Sequence, residues 1–119
     1  MAHHNLTGSL GEEMAVKYLL DKGYDILHKN WRHKHWEVDI IASKKNKLHF
    51  IEVKARRTKK FGNPEDDVSK KKITNLIGAA EEFLLLYPDK KLIQFDILSI
   101  NMEKNKQPEF LLIEDVYLP

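Results

Sequence analysis

Apolar positions along the chain fall into stretches of two distinct periods. Leu10, Met14, Ala15, Tyr18 and Leu19 recur at three- and four-residue spacing, which predicts a helix with one buried stripe. Thr7 or Ser9 can cap it, Ser9 and Glu12 have capping-box spacing, and Gly23 stops it just after Lys22. Tyr24 to Leu27 reads as a short strand, followed by a basic connection from Lys29 to His35. Trp36 to Ala42 and Leu48 to Lys54 alternate as strands and flank the polar turn Lys44 to Lys47, so they should pair as a hairpin. A basic loop, Ala55 to Gly62, leads to Asn63-Pro64-Glu65-Asp66-Asp67. That run supplies a cap, a first-turn proline and acids at the positive end of a helix dipole. The helix it starts carries Ile73, Leu76, Ala80, Phe83 and Leu84 on one stripe and should reach about Tyr87, before Pro88. Leu92 to Ile100 and Phe110 to Ile113 are the last strands, with the polar loop Asn101 to Pro108 between them. The order α-β-β-β-α-β-β predicts one α/β domain spanning residues 1–119, its sheet covered by helices.

Composition narrows the chemistry. With 119 residues the chain can bury a core unaided, and without cysteine it has no disulfide, thiolate metal site or thiol nucleophile. The longest apolar run is the five residues Phe83 to Tyr87, far short of a membrane span. Met1 to Leu10 lacks the apolar core of a secretory signal, so the expected location is cytoplasmic. No glycine-rich phosphate loop or G-x-S-x-G elbow is present. The net charge of +2 conceals an asymmetry: residues 28–72 hold 14 Lys/Arg against 6 Asp/Glu, and the rest hold 6 against 12. A face that binds polyanions would produce this separation, and so would a solvated lysine-rich surface.

Alternation puts Glu37 and Asp39 on one face of their strand, and Glu52 and Lys54 on one face of the next. If these strands pair, Asp39 and Glu52 converge near a strand end. A hard divalent ion is satisfied by one or two such carboxylates, a carbonyl and retained waters. Lys54 would stand beside the attacking water, to orient it, assist its deprotonation or offset charge on the phosphorane. A D…ExK pattern alone arises by chance in about one chain in five of this length, so its context matters. On the first helix, Glu12 lies about 20° from Leu19, on the flank of the stripe, while Glu13 faces away and can pair with Lys17. On the second, Lys72 sits at the edge of the stripe and Lys71 away from it. Lys72 therefore either snorkels past the core or reaches a phosphate.

Taken in order, Thr7-Gly8, Gly11-Glu12, Ala15, Gly23-Tyr24, Ile26-Leu27, Asn30-Trp31-Arg32, Glu37-Val38-Asp39-Ile40-Ile41-Ala42, Phe50-Ile51-Glu52-Val53-Lys54, Arg56 or Arg57, Phe61-Gly62, Val68, Lys72 and Phe95-Asp96 resemble the uncharacterised YraN-like family of small bacterial proteins. That family is a branch of the PD-(D/E)XK endonuclease-like superfamily related to archaeal Holliday-junction resolvases. The resemblance implies a restriction-endonuclease-like fold with a central mixed sheet flanked by helices. It implies Asp39 and Glu52 as metal-binding acids, the Val53 carbonyl as a further ligand, Lys54 as the catalytic lysine and Glu12 as the helix acid that resolvase relatives add. It implies Lys72 as a basic position for nucleic acid. It also implies Mg²⁺ or Mn²⁺ as cofactor, DNA as partner (branched or flapped DNA among the candidates) and a possible homodimer. This chain departs from the family with Trp36 in place of a usual Gly, Gln94 in place of a usual Arg, and a poor match at Glu114-Asp115-Val116. Trp36 could narrow the mouth of the site or stack on a base.

The remaining candidates are read from the residues themselves. Arg56, Arg57, Lys59 and Lys60 follow Lys54 with no acid among them and read as a phosphate-gripping loop. Trp31 and Trp36 interleave with Lys29, Arg32 and Lys34, a pattern that suits base stacking as well as packing under the loop. His33 and His35 would share a strand face, with His28 and His49 elsewhere, and scattered surface imidazoles are the simpler reading. Asp96 is expected to fix local structure. Three functions remain open: a metal-dependent DNA endonuclease, a non-catalytic nucleic-acid-binding protein of the same fold, and an interaction module whose acids only order the strand pair.

Overall fold

Seven elements follow one another in the expected order. The computed structural model describes residues 5–57, 70–88 and 92–116, with side chains from Ser9 onward. The elements are α1 (Asn5–Asp21), β1 (Asp25–His33), β2 (Trp36–Lys44), β3 (Lys47–Arg56), α2 (Lys70–Leu86), β4 (Leu92–Asn101) and β5 (Glu109–Ile113). The strands form one sheet in the order β1-β2-β3-β4-β5. The β3–β4 pair is parallel and the other pairs are antiparallel. Parallel neighbours need a crossover, and α2 provides it. The β2–β3 hairpin closes through Lys45 and Asn46, both with left-handed backbone (φ 50° and 66°), the geometry of a two-residue hairpin loop.

Two elements, α1 and β1, reach beyond their expected bounds. α1 already runs at Asn5, so Ser9 lies inside the helix and does not cap it. Leu10 is exposed, and the buried line of α1 is Gly11, Ala15 and Leu19, spaced by four. β1 extends through most of the expected basic connection, because its residues pair with β2 out to His33↔Trp36. Lys34 and His35 consequently form the turn, and His33 and His35 do not share a strand face. The expected helix start at Asn63 lies outside the described residues.

The two helices cover opposite faces of the sheet. Ala15 and Leu19 of α1 pack with Ile40, Ala42, Ile51, Leu98 and Ile100. Leu76, Ala79, Ala80 and Phe83 of α2 pack with Ile41, Leu48 and Phe50, the alternate positions of the same strands. Phe83 meets Trp31 and Phe50 edge-on, at centroid distances of 5.4 and 5.7 Å.

Two glycines set how closely these layers approach. A Cβ on Gly11 would lie 2.5 Å from the Ala55 Cβ, so α1 rests directly on the end of β3. A Cβ on Gly78 would lie 2.4 Å from the Trp36 ring, which fills the space against α2. Glycine inside a helix costs about 1 kcal/mol relative to alanine. The indole offsets that cost by burying apolar surface against the bare backbone.

Candidate active site

The site begins where β2 changes face. Ile40 and Ile41 point to the α1 and α2 sides in turn, yet Val38, which should follow Ile40, packs on the α2 side with Trp31 and Phe50. The strand therefore rotates at Asp39. Pairing ends there on the β3 flank and skips a residue on the β1 flank. The β2–β3 register ends at Ile40↔Ile51, and the β1–β2 register passes from Lys29↔Ile40 to Trp31↔Val38 without joining Asn30 to Asp39. In place of a ladder bond, the Val53 N–H donates to Asp39 Oδ2 at 2.8 Å. The carboxylate thus wedges between the strands, beside Glu52.

Two acids pressed together inside a protein disfavour each other's charge. The Glu52 carboxyl is pushed up to about 7, first by burial and then by the charge of Asp39, with which it shares a hydrogen bond. Asp39 is also raised, by burial above all, with the Val53 N–H opposing the shift. Lys72 Nζ lies 3.6 Å from Glu52 Oε2 and partly compensates the pair. Glu12 reaches the same space from α1. Its carboxyl is raised by partial burial and then by Asp39, against a hydrogen bond from Asn30 and the charges of Arg32 and Lys29.

All six residues expected at the core of the site, Glu12, Asp39, Glu52, Val53, Lys54 and Lys72, line one cleft of about 700 Å³. Of the expected basic loop, the described residues Arg56 and Arg57 do not join them. Arg56 is half-buried at the end of β3, its carbonyl accepting the Met102 N–H at 2.7 Å, and Arg57 is exposed beyond it. Neither lines the cleft. Lys59 and Lys60 lie outside the described residues. Trp36 packs, as one of its readings expected, with its ring on Gly78 and against His35 (4.2 Å), and it is not among the residues that line the cleft. Trp31 is buried, in agreement with packing. His49 is no surface imidazole: it is buried, with Nδ1 2.8 Å from Asp96 Oδ2.

Ser9, Asn30 and Asn75 were not expected at the site, and Arg32 only as a basic neighbour of Trp31 and Trp36, yet all four line the cleft. Arg32 is exposed at the rim and pairs across the strands with Glu37 at 3.2 Å. Asn30-Trp31-Arg32 was visible as a pattern, but the expected loop there hid its phase. Asn30 has φ 51°, which interrupts the alternation that would have placed Arg32.

A divalent cation can be tested against this donor set. Among the described residues no group of three or more His, Asp or Glu side chains is placed to hold a metal ion. Two carboxylates sharing a hydrogen bond and held short of full charge are nonetheless a locus where a cation can replace the shared proton. An ion that keeps most of its waters requires no more than this. The residues fit Mg²⁺ or Mn²⁺ in that form. Among the described residues no helix is long and apolar enough to cross a membrane.

Comparison with known proteins converges on one family. The model of "Uncharacterised protein family UPF0102" matches residues 11–100. A UPF0102 protein of Phocaeicola vulgatus is 45% identical over 104 residues, covering 87% of this chain and 86% of its own. One from Bacteroides thetaiotaomicron is 42% identical over 100 residues, covering 84% and 83%. One from Parabacteroides distasonis is 38% identical over 119 residues, covering 98% and 96%. The matched region contains the whole strand pair that carries Asp39, Glu52 and Lys54, together with Glu12 and Lys72.

Proposed function

The chain belongs to the uncharacterised protein family UPF0102, in keeping with its YraN-like resemblance, and from the geometry of its cleft we propose that it is a divalent-cation-dependent nuclease of the PD-(D/E)XK kind. It hydrolyses phosphodiester bonds in DNA, with branched or flapped DNA as the class to test first. One observation carries the reading: Asp39 and Glu52 meet at the splayed end of β2 and β3, in a cleft that also holds Lys54 and Lys72.

Asp39 and Glu52 would hold the cation, with Glu12 and the Val53 carbonyl as further donors. When bound, a Mg²⁺ or Mn²⁺ ion supplies Lewis-acid stabilisation of charge on the phosphoryl oxygens. The protein's own groups do the rest. Lys54, two residues beyond Glu52 on the same face of β3, orients the attacking water and offsets charge on the pentacovalent phosphorus. Lys72 of α2 and Arg32 of β1, both on the cleft, hold the phosphate backbone. Val53 fixes Asp39 through its N–H, so the carboxylate needs no reorganisation before the reaction.

The test is a panel of linear, nicked, flapped and four-way DNA with Mg²⁺ or Mn²⁺. The wild-type protein should cut at least one of them. Asp39→Ala, Glu52→Ala and Lys54→Ala should each lose about 100-fold or more while remaining folded. Salt-sensitive DNA binding that survives Asp39→Ala and needs no metal, with no cutting, would replace this reading with a non-catalytic nucleic-acid-binding protein.

A further inference from the structure

Asn30 is the only residue of β1 with left-handed backbone, at φ 51°. It leaves the ladder at the step where it would face Asp39, while its neighbours Lys29 and Trp31 stay paired with Ile40 and Val38. Asparagine tolerates this conformation better than most residues, though glycine would serve a plain kink more cheaply. What asparagine adds is a side-chain amide on the same cleft as Glu12, where its hydrogen-bonding influence favours the charged form of the Glu12 carboxyl. Both residues line the cleft that contains Asp39.

We propose that Asn30 is a positioning residue: turned out of the sheet opposite Asp39, it holds the Glu12 carboxylate of α1 where Glu12 and Asp39 together present oxygen donors to a divalent cation. This rests on the nuclease reading of the cleft. Gly11 supplies the other half of the placement, since its close approach to Ala55 brings the start of α1 to the end of β3. Glu12 is thus placed from two sides, by a helix seated directly on the end of β3 and by an amide that acts on where the carboxylate points.

The experiment is a calorimetric Mn²⁺ titration of the full chain as wild type, Asn30→Gly, Glu12→Gln and the double variant. Glycine keeps the backbone conformation, so Asn30→Gly should fold with a melting temperature within a few degrees of wild type. The expected result is about a tenfold weaker Mn²⁺ affinity for each single variant, with no further loss in the double. In metal-free protein, the Asn30 side-chain amide resonances should shift on Glu12→Gln. Unchanged affinity in Asn30→Gly while Glu12→Gln weakens binding would overturn the proposal. So would an equal loss from Asn30→Gly in both backgrounds, because Asn30 would then act independently of Glu12. A wild-type protein that takes up no Mn²⁺ overturns the nuclease reading, and this proposal with it.

Discussion

Two carboxylates on neighbouring parts of the sheet have opposite surroundings. Asp96 of β4 is fully buried and surrounded by donors. Gln94 Nε2 and the Asp115 N–H lie 2.9 Å from its Oδ1, and His49 Nδ1 lies 2.8 Å from its Oδ2. Lys47 Nζ extends the network by donating to Gln94 Oε1 at 3.0 Å, and the Tyr24 ring packs edge-on against His49. Asp39 has one backbone N–H and, in place of more donors, another acid. A buried acid that serves the fold is satisfied where it lies. An acid kept beside a second acid weakens the fold, and such conflicts are retained where a missing ligand resolves them.

The most damaging way to break this contrast is to remove the satisfied acid. Asp96→Ala would leave His49, Gln94 and the Asp115 N–H without their acceptor inside the protein. A loss of about 3–5 kcal/mol is expected in denaturant unfolding, enough to threaten the fold of a chain this size. Equal stability of Asp96→Ala and wild type would mean that the network is incidental.

Closing the approach of α1 should cost less. Gly11→Ala places a methyl 2.5 Å from the Ala55 Cβ, and an overpacked contact of this kind typically costs about 1–3 kcal/mol. Because α1 must move away, Glu12 moves with it. Thermal melts and Mn²⁺ affinity should therefore fall together, whereas Gly78→Ala, which collides with the far end of the Trp36 ring and moves none of the proposed carboxylate donors, should lower stability with a smaller effect on Mn²⁺ affinity.

How far the sequence alone shows this arrangement depends on which rule each element obeys. The order of elements was readable because alternation and helical spacing hold over most of β2, β3 and α2. The acids of β2 and β3 were brought together by the expected hairpin pairing, although β2 rotates at Asp39. Asn30 and Arg32 were not so placed, since β1 contains both a left-handed residue and a register shift between Ile26 and His28, and each resets the phase. His49 was misread because its partner is 47 residues away, in a strand that joins β3 only through the crossover. The partner of Trp36 was unreadable for a related reason: the space its ring fills exists only because Gly78, on a distant helix, has no side chain. Ser9 looked like a cap because the sequence offered a capping pattern one turn inside a helix that starts earlier.

The unsatisfied pair gives a prediction of opposite sign. With Glu52 raised from 4.5 to about 7, the folded state binds a proton more tightly than the unfolded chain does. The stabilisation from that proton is complete below about pH 4.5 and is lost as pH rises through about 7. Glu52→Gln cannot lose it. In metal-free buffer the variant should be more stable than wild type by about 1–3 kcal/mol above neutrality, and equal to it near pH 4. Mn²⁺ should then close the gap from the wild-type side alone, because only the wild-type site gains a ligand. Wild type that stays as stable as the variant at every pH would show that Glu52 is not in conflict with Asp39.

The smallest effect belongs to the rim, where it separates binding from folding. Arg32 and Glu37 are both largely exposed, with side chains 76% and 66% accessible, so their 3.2 Å pair adds little to stability. Arg32→Ala should change unfolding by less than about 1 kcal/mol. If Arg32 grips the backbone of a bound nucleic acid, the same change should weaken DNA binding several-fold at low salt. It should also reduce the slope of log affinity against log salt by about one phosphate contact. Glu37→Ala provides the control from the other side: it releases the same arginine without removing it, so DNA affinity should hold or rise. Matching losses in both variants would mean that the ion pair orders the strand end and that Arg32 itself does not touch DNA. A loss confined to Arg32→Ala assigns this side chain to the ligand, at a position that contributes almost nothing to the fold.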